Sequence, residues 1–81
     1  MIGPSGELVQ ALQTNRSTGG GFWMVRASYD GGATFSVLDD FQLTPGKGAT
    51  PYGLVTAGTS LLAIGRSTDA AGIYHWITRK Y

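Results

Sequence analysis

The side chains able to do acid–base, nucleophilic or ligand chemistry are few. His75 is the sole histidine, it stands beside Trp76, and cysteine is absent. A general base works on a nucleophile within hydrogen-bond reach. The sequence offers His75 no such partner, so it reads as a structural or surface histidine. One histidine without cysteine is too few ligands for zinc, and no disulfide can form. Asp39 and Asp40 are adjacent. On a strand they point to opposite faces, which is poor geometry for paired carboxylates, so solvation or local capping is their expected role. Asp30 could lend oxygens to calcium, but a role inside its own turn fits the neighbouring residues better. Gly46-Lys47-Gly48-Ala49-Thr50 lacks the spacing of a phosphate loop and any helix to follow it. It reads as a plain loop. No catalytic residue, metal or cofactor is expected.

Two residue types remain as candidate binders. Arg26, Arg66 and Arg79 could each grip a carboxylate through a guanidinium fork. The aromatic residues Trp23, Trp76, Tyr29, Tyr52, Tyr74 and Tyr81 could stack on sugar rings. The two tryptophans recur at one position of an internal repeat, which favours core packing for both. Arg26 and Arg79 recur likewise, which favours one structural pairing per repeat. The tyrosines near turns are freer. Tyr52, Tyr74, Arg66 and Arg79 are thus the candidate ligand-binding set, with carbohydrate as the candidate ligand.

These side chains must be held by strands. In 81 residues with 13 glycines and 3 prolines, short β-rich segments alternate with turn residues. The segments are 8–12, 22–27, 35–38, 52–56, 61–64 and 74–79, and none has a helical period. Residues 39–43 could make a short turn. The 22–27 strand has Trp23 and Val25 on one face and Phe22 and Met24 on the other, so both faces need cover. Net charge is +1 with no basic tract, which argues against nucleic acid. No apolar run approaches the about 20 residues of a membrane span. The N-terminus has neither the basic start nor the apolar stretch of a signal peptide.

A shift of 53 residues lays Trp23 on Trp76, Arg26 on Arg79, Leu8 on Leu61 and Gly19 on Gly72. A repeat of that length suits one four-stranded blade. Between the second and third strands lies Ser28-Tyr29-Asp30-Gly31-Gly32-Ala33-Thr34-Phe35. An Asp in such a turn accepts backbone N–H groups that follow it. Gly31 and Gly32 permit positive φ, and Phe35 is expected to anchor the turn to the core.

Ser28, Asp30, Gly32, Thr34 and Phe35 fill every defining position of the Asp box, Ser-x-Asp-x-Gly-x-Thr-aromatic. The chain from about residue 7 to 81 resembles the sialidase-like BNR-repeat β-propellers that carry it. The resemblance implies an all-β fold of antiparallel propeller-type blades, with the box as a rim hairpin that serves folding rather than catalysis. It implies a single module, 1–81, of roughly one and a half blades. The first partial blade is 1–40 with its box at 28–35, a loop follows at 41–50, and the second partial blade is 51–81. Residues 1–5 would stand in for a stunted inner strand, and the second copy stops before another box. Blades left open in this way would be completed by homo-oligomerisation. The resemblance leans towards an extracellular setting. The expected function is a non-catalytic structural or assembly module. The alternatives are a glycan- or ligand-binding propeller module and a remnant of a sialidase-like glycoside hydrolase.

Overall fold

A computed structural model describes residues 1–15 and 20–81. The Gly19–Gly72 match therefore lies outside the described residues. Among the described residues six strands follow one another: β1 (Leu8–Asn15), β2 (Gly21–Ser28), β3 (Ser36–Phe41), β4 (Ala49–Ala57), β5 (Ser60–Thr68) and β6 (Tyr74–Lys80). Each overlaps a segment expected from alternation and runs further than the pattern alone marks, but β3 leaves Phe35 outside its start. Asp39 and Asp40 belong to β3 and not to a turn, because ladder pairing with Val25 and Met24 overrides their weak strand propensity. The connecting loop is accordingly shorter than 41–50, running from Gln42 to Gly48.

The strands form two antiparallel three-stranded meanders, ordered β1-β2-β3 and β4-β5-β6. Met1 and Val9 exchange backbone bonds of 3.0 and 2.7 Å, and Ile2 bridges Leu8. Met1 and Ile2 thus lie against the free edge of β1 through an isolated bridge and not a full strand. Two bulges matter for the surface. Leu38 is the extra residue where Val25/Asp39 pairing shifts to Arg26/Val37. Tyr52 is the extra residue between Pro51/Gly65 and Gly53/Ile64. A bulge re-aims its side chain, and Pro51 is tolerated because β4 is an edge strand.

The sheets stack face to face in a slab 14 Å along its shortest axis. Val9, Trp23, Val25 and Ala27 of the first sheet meet Ala49, Leu61 and Ala63 of the second, all buried. Bulky Val9, Trp23 and Val25 on one side face Ala49 and Ala63 on the other, which lets the layers come close. Gly65 marks a close approach, since a Cβ there would lie 2.9 Å from Trp23 of the other sheet and 2.2 Å from the Thr50 carbonyl oxygen on the neighbouring strand of its own. The inter-sheet loop is pinned at Ser67. Its buried hydroxyl accepts the Leu43 N–H at 3.0 Å and donates to the Gly48 carbonyl at 3.3 Å.

Candidate functional site

The Asp30 turn joins β2 to β3, neighbouring antiparallel strands. Gly31 and Gly32 take φ of 75° and 101°, a region closed to most side chains. Asp30 Oδ1 accepts the Ser28 hydroxyl at 2.7 Å and the Thr34 N–H at 2.9 Å, and the Thr34 hydroxyl donates to Oδ2. Ser28 Oγ accepts the Gly32 N–H at 2.8 Å. These bonds favour the ionised carboxylate, and its pKa lies well below the ordinary 3.8, the Thr34 hydroxyl contributing most and Ser28 next. Phe35 does not reach the core. It is half-buried on the outward side of the first sheet, with the Arg26 guanidinium 4.5 Å from its ring centre.

A second Asp turn closes β5 onto β6. Asp69 Oδ1 accepts the Ala71 and Ile73 N–H groups at 2.9 and 3.0 Å, and Oδ2 meets His75 Nε2 at 2.7 Å. Its pKa is lowered, first by His75 and then by the Ile73 N–H. The second sheet thus has an Asp turn of its own, though without the glycine and threonine of the box. Ser67, Asp69 and Tyr74 keep the spacing of Ser28, Asp30 and Phe35, and that spacing was the available signal. Ala71 and Ile73 stand where Gly32 and Thr34 do, which hid it.

Between the sheets lies a network that the sequence did not announce. Arg79 donates from Nε and, at 3.1 Å, from Nη2 to Asp39, and its guanidinium covers Phe41 at 3.9 Å. The Tyr81 hydroxyl donates to Asp39 at 2.6 Å and accepts the Trp23 indole N–H at 3.2 Å. Asp39 is therefore an inter-sheet acceptor, not a solvated or capping residue. The Asp39 hydrogen bond raises the Arg79 pKa, and burial pushes the Tyr81 hydroxyl up. Arg79 is engaged here and stands apart from the other proposed ligand binders. Arg26 instead bonds Gln10 at 2.8 Å, so the repeated arginines do not share one pairing.

The outward face of the second sheet gathers the rest of the binding set. Arg66 lies over Tyr74 at 4.3 Å and near Tyr52 at 5.7 Å, while Tyr52 meets Trp76 at 6.0 Å, tilted by 51°. Trp76 is 77% exposed, whereas Trp23 is 0% exposed. Core packing thus holds for one tryptophan only. The register puts Trp23 on the face that meets the second sheet, and Trp76, opposite Arg66, on the face that looks away from the first. A depression of about 260 Å³ beside the cluster is lined by Gln13, Gly48, Thr50, Arg66, Thr68 and Tyr74. Compared with known protein families, with curated proteins and with solved structures, the chain matches none.

Proposed function

We propose that the chain is a non-catalytic structural and assembly module of β-propeller type, whose sheets act as blades completed by further copies. One observation carries this reading. The outward face of the second sheet holds Tyr52, Val55, Ile64, Tyr74 and Trp76 in solvent, an apolar surface of the kind that marks an interaction site. The charged groups support it, because several are committed to holding the fold. Asp30 and Asp69 close turns, Asp39 ties Arg79 and Tyr81, and His75 is bonded to Asp69.

A second reading, a glycan- or ligand-binding module, is favoured by Arg66 lying against Tyr52 and Tyr74 beside Trp76. Aromatic faces with an adjacent fork of donors suit an acidic sugar. Sedimentation from about 1 μM to about 100 μM, a span that covers ordinary interface affinities, tests the assembly reading. The expected result is concentration-dependent association. A chain that stays monomeric throughout, and whose indole fluorescence shifts on adding a sialylated oligosaccharide, would replace assembly with the second reading.

A further inference from the structure

We infer that the outward face of the β4–β6 sheet docks on the outward face of the β1–β3 sheet of a second copy, head to tail, with Trp76 as the anchor. The inference rests on the assembly reading and specifies its geometry. Its basis is the way the two sheets already meet. Ser28 and Ser67 open matching Asp turns. By register, Ser28 and Leu8 share the side of the first sheet that looks away from the second, while Ser67 and Ala49 lie on the side of the second that faces the first. The Trp-x-x-Arg pairs, matched by the separate shift of 53 that lays β2 on β6 rather than on β5, show the same reversal of face. Trp23 points inward and Trp76 outward, while Arg26 points outward and Arg79 inward. The sheets are therefore stacked front to back, not front to front.

A front-to-back pair leaves one face of each kind uncovered. The free front belongs to the second sheet and displays Tyr52, Val55, Ile64, Tyr74 and Trp76. The free back belongs to the first sheet, where Leu12, Met24 and Val37 share the side occupied by Arg26. These are the two kinds of face that bury each other inside the chain, so a second copy supplies what each lacks. Charge agrees. The free front carries Arg66 and Lys80 in register with Trp76 and Leu62, and two such fronts would oppose like charges. The free back carries both Asp40, opposite Met24, and Arg26, opposite Val37, so front on back replaces a wholly like-charged meeting with a mixed one. An interface of this heterologous kind closes into a ring or grows into a filament, according to the rotation per step.

The test uses two charge insertions, Trp76→Glu on the front and Met24→Glu on the back, with Leu12→Glu as a second back variant should Met24→Glu fail to fold. Far-UV dichroism and the blue emission of buried Trp23 check folding. Each variant alone should sediment as a monomer, its association weakened by about 100-fold or more, as removal of a central aromatic anchor does. Mixed in equal amounts, a front and a back variant should form a one-to-one dimer and nothing larger. One intact front and one intact back then remain to meet. If back variants still self-associate like the unaltered chain while Trp76→Glu is monomeric, fronts pair with fronts. In that case the inference fails and the assembly reading stands. If the unaltered chain never associates, both fall.

Discussion

Asp30 stabilises the first hairpin in its charged form. Four residues further on, Thr34 supplies both an N–H and a hydroxyl to the carboxylate, and Ser28 supplies another hydroxyl. A carboxyl whose pKa is lower folded than unfolded adds stability above the unfolded value and loses it as pH falls through the folded one. The Asp30 contribution should thus be whole at neutral pH and fade from about pH 4 downward. Asp30→Asn should melt below the unaltered chain at neutral pH, and the gap should narrow as the solution is acidified. Melting curves over that range decide it, and a gap that keeps its size into acid would contradict the role given to the charge. This residue was legible in the sequence because all its partners are the usual types at the usual spacing. Asp69 was not, since an Asp turn built on backbone donors needs neither Gly32 nor Thr34 equivalents. Nor was the difference between Trp23 and Trp76, which share one local motif and differ only in what lies across from them.

Among the elements, β5 is the strand that fixes the distance between the sheets. Leu61, Ala63, Gly65 and Ser67 form its inward face and all are buried. Trp23 lies against the bare backbone at Gly65. Replacing Gly65 with Ala would push a methyl into the Thr50 carbonyl, Pro51 and Trp23 at once, and should cost about 2–3 kcal/mol as overpacking does. Gly53→Ala, at a position with nothing within 4 Å, is the matched control and should be close to neutral. Chemical denaturation of both variants measures the contrast, and equal midpoints would refute the close packing around Gly65. The strands were readable because alternation with aliphatic or aromatic residues survives in each. Their ends were not, because pairing carried β3 through Asp39 and Asp40 and β5 through Thr68. Tyr52 reaches the outward face through a bulge, a register event that composition does not encode.

At the scale of the molecule, two three-stranded meanders meet through unlike faces, and the ion pair of Asp39 with Arg79 and the Tyr81–Trp23 hydrogen bond tie one to the other. The repeat lays β1 and β2 on β5 and β6, so it marks related strands and not the two meanders themselves. It could not say that one tryptophan is sealed between them while its counterpart is left outside, because that depends on the order of stacking. Incorporating 5-fluorotryptophan gives one ¹⁹F resonance for each indole and tests this asymmetry without altering the sequence. The account predicts that in dilute protein one line broadens with a soluble paramagnetic reagent and shifts as concentration rises, while the other does neither. Two lines that respond alike, both shielded or both open, would contradict it.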